Sequence, residues 1–264
     1  ARKFAVPKTA DEWRGRADIL RGDLRAILDE GRRVEKSPAE AKVVKVETRG
    51  EYKIEHLLIR PGTDRETKAV RVRAIGRFAD GTAPGLLYLA DGPDVAFGPG
   101  VDGRPPATEL ALRGFHVIVV ETPAASGPLA SDASFPDRVR ADLDALDVLL
   151  ADPELHDHRV GAVGVGRGGA RLLWLMGLRP EVECGVGIGG ITRFDDLPGS
   201  EKKVAAPWLK RFWKLGDTEL LAALCAPRKL EMYVRDLDRG SPSRGIDTIN
   251  SAATRVYQLV GGRG

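Results

Sequence analysis

Apolar residues recur at helical spacing in several segments of the chain. Trp13, Ala17, Leu20, Leu24 and Ile27 share one face of a helix predicted over residues 10–29. Thr9 followed by Glu12 fits a capping box at the start of this helix. The same spacing, with Val139, Leu143, Leu146 and Leu150 on one face, predicts a helix over 136–150. Further helices are predicted at 107–112, 168–178 and 246–259.

Alternating and continuous apolar runs predict the strands. Val70, Val72 and Ala74 alternate with arginines, which is typical of a strand with one exposed face. The run from Leu86 to Leu89 is apolar throughout, which suits a strand buried on both faces of a parallel sheet. Together, such runs predict strands at 43–48, 52–59, 70–78, 86–89, 115–120, 160–165, 186–188 and 229–234.

The order of these elements predicts the fold class. From residue 85 onward, strands alternate with helices, which indicates an α/β fold with a mostly parallel sheet and helices on both faces. An N-terminal helix plus β extension precedes it. We predict one domain over 1–264, with a helical extension at 1–42 and a sheet core at 43–264. The loops at 91–106 and 123–132 follow buried strands, at the edge where open α/β sheets bind ligands.

Composition and charge narrow the function classes. Hydrophobic residues make up 42% of the 264, which supports a sizeable core. Lys and Arg outnumber Asp and Glu by 41 to 38 with the signs interleaved, which argues against a nucleic-acid partner. No apolar run reaches the roughly 20 residues of a membrane span, so no membrane partner is expected. Two cysteines cannot build a disulfide framework, and Cys184, which opens an apolar run, is expected to be buried.

The segment Val163–Gly169 is the sharpest motif, and two functional interpretations compete for it. Gly164, Gly166 and Gly169 match the dinucleotide-binding pattern G-x-G-x-x-G. Several strands precede the motif, however, and the next strand is followed by glycines rather than by the expected acid. The alternative is a nucleophile elbow, G-x-S-x-G, in which Gly166 replaces the serine. A glycine-rich turn without function would have the same local sequence.

The order of several further segments along the chain is informative. They are Val6–Thr9 with Trp13, Gly85–Gly92 (GLLYLADG), Asp152–Gly169, Leu224–Leu230 (LCAPRKL) and Asp236–Asp238. On these segments the chain resembles, over nearly its whole length, the bacterial α/β-hydrolases grouped with acetyl xylan esterases and dienelactone hydrolases. The resemblance implies an α/β-hydrolase fold, no cofactor and a carbohydrate ester or another small ester as ligand. It would fit a secreted or periplasmic protein, although no feature of the sequence defines a compartment.

Carried over to this chain, the family pattern has lost catalytic parts. A triad needs a nucleophile, a base and an acid. The nucleophile position is Gly166, the acid position is Asp238 with Asp236 as the alternate, and the backbone N–H of Arg167 is the expected oxyanion donor. The base would follow the last helix on a further strand and loop, so we expect it to be missing from residues 1–264.

The resemblance also suggests binding residues: Asp91 and Gly92 in the oxyanion segment, and Ser126 in the facing loop. A carboxylate at Asp91 would oppose a developing oxyanion.

The four histidines offer no obvious substitute for the base. His56 and His116 lie within predicted strands and are expected to be structural. His156 and His158 are expected to precede the strand of the motif, at the end away from Gly166. Metal binding by these two with Asp157 is not favoured, so no metal site is predicted. Trp208, Phe212 and Trp213 are expected to pack in the core, with a lid or a partner surface as the alternative.

Three functional hypotheses follow. The preferred one is a degenerate, catalytically inactive esterase-like domain with a binding or structural role, which could be one domain of a longer chain. The first alternative is an active carboxylic-ester hydrolase, with a nearby serine or a water activated by Asp238 as nucleophile, or with a base supplied from elsewhere. The second alternative is a dinucleotide-binding protein.

Overall fold

The computed structural model describes residues 4–30, 38–76, 83–100, 103–122, 128–197, 199–234 and 243–261. Their strands are β1 (Ala41–Arg49), β2 (Tyr52–Ile59), β3 (Thr67–Ala74), β4 (Ala83–Leu89), β5 (His116–Val120), β6 (Leu155–Val165), β7 (Val182–Ile188) and β8 (Lys229–Tyr233). Their α-helices are α1 (Ala10–Leu28), α2 (Pro93–Phe97), α3 (Pro106–Leu112), α4 (Phe135–Leu150), α5 (Arg167–Leu178), α6 (Gly199–Lys203), α7 (Pro207–Leu215), α8 (Thr218–Leu224) and α9 (Ser243–Val260).

The eight strands form one mixed sheet in the order β1-β2-β3-β5-β4-β6-β7-β8. β1, β2 and β3 are antiparallel, and β3 also pairs antiparallel with β5. The strands from β4 to β8 are parallel to their neighbours. The predicted fold class is therefore confirmed: a mostly parallel sheet follows an N-terminal helix and a β extension.

Side chains that alternate along the strands build a hydrophobic cluster on each face of the sheet. One cluster contains Leu87 and Ile118 and receives the buried sides of α1, α4, α5, α8 and α9. The other contains Leu86 and Val117 and receives small residues of α2 and α3. The period-2 alternation of strand side chains explains this division, since neighbouring residues point to opposite faces. Helices cover both faces, as predicted.

One part of the second face is bare of helices within the described residues. Cys184 on β7 pairs in register with Gly161 of β6 and is exposed. Ile188 and Tyr233, at the ends of β7 and β8, are 46% and 56% exposed. The prediction that Cys184 is buried is therefore wrong. The apolar run showed that the strand belongs to the sheet but carried no information about which helices cover it.

The aromatic segment of α7 packs in the core. Trp208 is 2% exposed and stacks on Phe135 with ring centroids 4.6 Å apart. Phe212 is fully buried and lies against Trp174 of α5. The expectation of core packing is confirmed for these two rings, while Trp213 is half-buried.

Five strands begin earlier than the sequence predicts, and the differences are largest for β6 and β7. β6 begins at Leu155, so His156 and His158 lie within this strand and do not precede it. β7 begins at Val182, where the polar Glu183 hides the strand from an apolar-run criterion. The described helices do not include one that is both long and apolar enough to span a bilayer.

Candidate functional site

Gly166 lies in the sharp turn between β6 and α5. Its backbone has φ 59° and ψ −127°, a conformation that residues other than glycine rarely adopt. Its N–H donates to the carbonyl of Ile188 at 2.9 Å, and its own carbonyl accepts from the Gly169 N–H at 2.9 Å. A Cβ built on Gly166 would meet no atom of the described residues within 4 Å. As far as the described residues show, this position therefore has room for a side chain at the carboxyl edge of the sheet.

The other glycines of the motif are closed in by protein backbone. A Cβ on Gly164 would overlap the backbone of Gly168, and one on Gly168 would overlap the carbonyl of Leu89. A Cβ on Gly169 would overlap the carbonyl of Gly189. Neighbouring strands and turns occupy the space beside these three glycines, so the segment packs as a tight strand-to-helix turn. The dinucleotide interpretation is not favoured, because such a motif normally follows the first strand of its fold, whereas five strands precede β6 here.

Charged side chains from three segments meet beside Gly166. We name Asp91, Asp132, Arg138 and Arg167 the carboxyl-edge cluster. Asp91 follows β4, and its carboxylate lies 3.3 Å from Arg138 Nη1 and 3.4 Å from Arg167 Nε. Asp132 Oδ2 lies 3.8 Å from both Arg138 Nε and Arg167 Nη1.

Exposure differs across this cluster. The side chains of Asp91 and Arg167 are 25% and 22% exposed, whereas Asp132 and Arg138 are more deeply buried. Asp132 is fixed by its neighbours: Oδ1 accepts from the N–H and hydroxyl of Ser134, and the Trp208 indole donates to its carbonyl at 2.7 Å. Asp91 and Arg167 therefore form the solvent-facing side of the carboxyl-edge cluster.

A buried ion pair lies beneath the cluster. Arg171, one turn after Arg167, donates to the carbonyl of Ala90 at 2.8 Å and to the Thr122 hydroxyl at 3.2 Å. Its Nε lies 3.3 Å from Asp142 Oδ2, and Asp142 is fully buried. Burial raises the pKa of Asp142 to about 6, with Arg171 and Arg138 opposing the shift. Arg171 thus ties the ends of β4 and β5 to α5.

The structure brings together only some of the predicted site residues. Gly166, Arg167 and Asp91 lie side by side, and Gly92 follows as the N-cap of α2 with φ 95°. Arg167 opens α5, where backbone N–H groups point towards a bound anion or oxyanion. Asp236, Asp238 and Ser126 lie outside the described residues.

The histidines lie elsewhere in the sheet. His116 opens β5, and His156 and His158 lie in the first half of β6, at the amino edge opposite Gly166. His56 lies on β2, 3.1 Å from a carboxylate oxygen of Glu47 on β1. None of the four histidines is placed to serve as a base beside Gly166.

Sequence reasoning missed four residues around the turn, namely Asp132, Arg138, Asp142 and Arg171. A signal was available for three of them. Arg138 and Asp142 are four residues apart on α4, and Arg171 interrupts an otherwise apolar stretch of α5. A charged residue on the buried side of a helix needs a partner, so it indicates a second charge nearby.

The amino edge of the sheet holds a second charged group. We name Lys53, Glu55, Arg71, Arg73, Asp152 and Glu154 the amino-edge network. Glu55, 4% exposed, accepts from Lys53 at 2.7 Å, Arg71 at 2.6 Å and Arg73 at 3.0 Å. Burial alone would raise the pKa of Glu55, but these three donors outweigh it and lower the pKa.

The amino-edge network continues to the loop before β6. Arg71 Nη1 donates to Asp152 Oδ2 at 3.0 Å, and Arg73 pairs with Glu154. The network therefore joins β2 and β3 to that loop.

Two cavities lined by described residues lie beside the sheet. One of about 170 Å³ lies at the amino edge and is lined by Lys53, Arg73, His116 and Glu154 among others. The other, of about 10 Å³, lies between Gly190, Trp174 and Phe194. The smaller one has room for about one water molecule.

Comparisons with known proteins identify the fold. No protein-family model matches the chain, and no curated protein sequence matches it either. A glucuronoyl esterase from Solibacter usitatus superposes with a TM-score of 0.70 at 16% identity, over 96% of this chain and 82% of that one.

Two esterase structures of a second kind give similar results. A candidate acetyl xylan esterase from Bacteroides fragilis NCTC 9343 has a TM-score of 0.72 at 16% identity, over 98% of this chain and 75% of that one. An acetyl xylan esterase from Paenibacillus sp. R4 has a TM-score of 0.59 at 16% identity, over 98% and 88%. The chain has the α/β-hydrolase fold of these esterases, as the resemblance implied. Fold alone does not determine activity.

Proposed function

We propose that this chain is a non-catalytic, esterase-like α/β-hydrolase domain whose carboxyl edge binds a small carbohydrate ester. The observation that carries the proposal is Gly166. It occupies the strand-to-helix turn where an esterase of this fold presents its nucleophile, and it offers no oxygen or sulfur atom.

The surroundings of Gly166 support the absence of catalysis. Acyl transfer needs a base within hydrogen-bond reach of the nucleophile. His116, His156 and His158 lie at the opposite edge of the sheet, and His56 lies beside β1. The Asp91 carboxylate lies 3.4 Å from Arg167 Nε, so it places a negative charge near this turn, which would oppose a developing oxyanion.

The carboxyl-edge cluster supports a binding role. Asp91 and Arg167 are partly exposed and lie 3.4 Å apart, and partly exposed ion pairs of this length contribute little to stability, so both groups could contact the hydroxyl or carbonyl groups of a ligand. The space beside Gly166 lies next to these two residues. A ligand group could enter the position that a serine side chain would occupy in an enzyme. This edge is also where α/β sheets bind their ligands.

An acetylated xylo-oligosaccharide provides one test of both halves of the proposal. The ligand is titrated into the protein in a calorimeter, and released acetate is then measured in the same sample. We expect saturable heat without acetate release, and we expect Arg167→Ala to weaken binding by about tenfold, the effect of one lost charge-assisted hydrogen bond.

The design separates the alternatives. A conservative change at the other edge, Lys53→Arg, serves as the control and should bind normally. Acetate release that depends on the native protein would instead favour the active hydrolase. An absence of saturable heat would contradict the binding role.

A further inference from the structure

His116, at the amino edge, has a polar atom without a partner. It is 9% exposed, and its buried Nδ1 atom has no hydrogen-bond partner among the described residues. Its nearest acidic neighbour is Asp152 Oδ2, at 3.7 Å, which is too long for a hydrogen bond. Buried ring nitrogens rarely lack a partner, so the gap between these two atoms needs an explanation.

The separation fits two ligands of one metal ion. Zinc binds nitrogen and carboxylate oxygen at about 2.0–2.2 Å, so tetrahedral ligand atoms lie roughly 3.4 Å apart. One donor atom each from His116, Asp152 and Glu154 lies within 4.8 Å of the others. We propose that these three residues bind a zinc-class transition-metal ion that joins the start of β5 to the loop before β6.

The donor set selects the class of ion. One imidazole and two carboxylates suit zinc or a similar first-row metal, whereas magnesium and calcium prefer oxygen ligands alone. The carboxylates are already oriented for this role. Asp152 accepts from Arg71 Nη1 and from the Glu154 N–H, both at 3.0 Å, and Glu154 pairs with Arg73. Such outer contacts fix the ligands of protein metal sites.

The same contacts limit the affinity. Arg71 and Arg73 repel a cation, and three protein ligands are fewer than the four of closed structural zinc sites. We therefore expect binding well below the affinity of a zinc finger. The neighbouring cavity of about 170 Å³, lined by His116 and Glu154, gives the ion and its water ligand a path to solvent.

The proposed role is structural. The ion would lie at the edge of the sheet opposite Gly166, so it would not take part in ligand binding at the carboxyl edge. Because it would bind the folded chain and not the unfolded one, it should raise the melting temperature. This effect is independent of the proposed function and can be measured without any ester.

Zinc binding tests the site directly. The full chain is treated with EDTA, desalted, and titrated with zinc chloride by calorimetry and by thermal melting. Cobalt(II) gives a visible spectrum that reports tetrahedral nitrogen and oxygen coordination. We expect one ion per chain, a higher melting temperature with zinc, and binding at least about tenfold weaker in His116→Gln and in Glu154→Gln. Glu154 has a side chain 45% exposed, so its variant should fold even if the histidine variant does not.

Two controls make the result decisive. His56→Gln removes a histidine from β2, and a double His156→Gln, His158→Gln variant tests the other candidate ligands in β6. Zinc binding that survives in these controls and falls in the two ligand variants supports the proposal. No binding to the unmodified chain, or a loss confined to the β6 double variant, would overturn it.

Discussion

The two edges of the parallel sheet carry similar charged residues but hold them differently. At the amino edge, the three donors to Glu55 lie 2.6–3.0 Å from its oxygens, and that side chain is nearly inaccessible. At the carboxyl edge, the contacts of Asp91 and Asp132 with arginine are 3.3–3.8 Å long. The carboxylate of Glu55 is therefore held by short ion pairs, whereas the ion pairs between the arginines and aspartates of the carboxyl-edge cluster are longer.

This difference predicts that the two edges contribute differently to the stability of the fold. Removing one partner from a buried, fully paired network leaves unpaired charges and is costly. Long, partly exposed ion pairs contribute little to stability and can exchange partners with a ligand. The amino-edge network therefore joins the β extension to the sheet, and the longer ion pairs of the carboxyl edge are consistent with the proposed binding role.

Removal of the charge of Glu55 should have the largest effect on stability and tests the difference between the two edges most strongly. We expect Glu55→Gln to lower the free energy of unfolding by about 3 kcal/mol, because Arg71 and Arg73 lose their shared carboxylate in a buried place. Urea denaturation measures the change. Glu47→Gln is the matched control, since Glu47 also has three partners but lies on the exposed strand β1. Equal losses in the two variants would show that burial does not decide the effect.

The pH dependence of stability tests the buried ion pair of Asp142 beneath the carboxyl edge. The folded pKa of Asp142, about 6, lies above the ordinary value of 3.8, so the native state binds more protons between these values. Stability from this group is present at low pH and is lost as pH rises towards 6. Relative to Asp142→Asn, the unmodified chain should lose about 2 kcal/mol between pH 4 and pH 7. Chemical denaturation at several pH values measures the difference.

Glu55 should respond in the opposite sense. Its folded pKa is lowered, so its stabilising contribution is complete above the unfolded pKa and disappears in acid.

A pH-independent difference between the Asp142→Asn variant and the unmodified chain would contradict the assignment of Asp142 as a buried group that takes up a proton.

The smallest expected effect concerns Asp91. Asp91→Asn should change the free energy of unfolding by less than about 1 kcal/mol, because its ion pairs are long and partly exposed. The same variant should alter affinity for an acetylated xylo-oligosaccharide, since Arg167 then loses its counter-charge. A loss of stability as large as that of Glu55→Gln would mean that the carboxyl edge is structural after all.

The sequence predicted local elements better than side-chain clusters. The helix that begins after Thr9 and the buried strand ending at Leu89 depend on spacing within a few residues, and both are present. The helices α7 and α8 were missed because each is shorter than ten residues, and every residue of α8 is buried. The exposure of Cys184 depends on which helices reach β7, which no local pattern encodes.

The candidate site was predictable only around its motif. Gly166 and Arg167 were found from the glycine-rich motif, and Asp91 was found from the family resemblance. Arg138 and Asp132 join them from a segment about 30–35 residues before Arg167, and His116 meets Asp152 across a similar separation. Such meetings follow from tertiary packing, which a single sequence does not specify. The acid positions Asp236 and Asp238 stay predictions.

The central claim, that Gly166 leaves this fold without an esterase nucleophile, is tested most directly by hydrolysis of p-nitrophenyl acetate. The unmodified chain is measured beside Gly166→Ser, Gly166→Ala and a heat-denatured sample. We predict no turnover by the unmodified chain or the alanine variant above the denatured sample. Turnover by the unmodified chain that disappears on denaturation would contradict the claim and would assign the nucleophile to another residue.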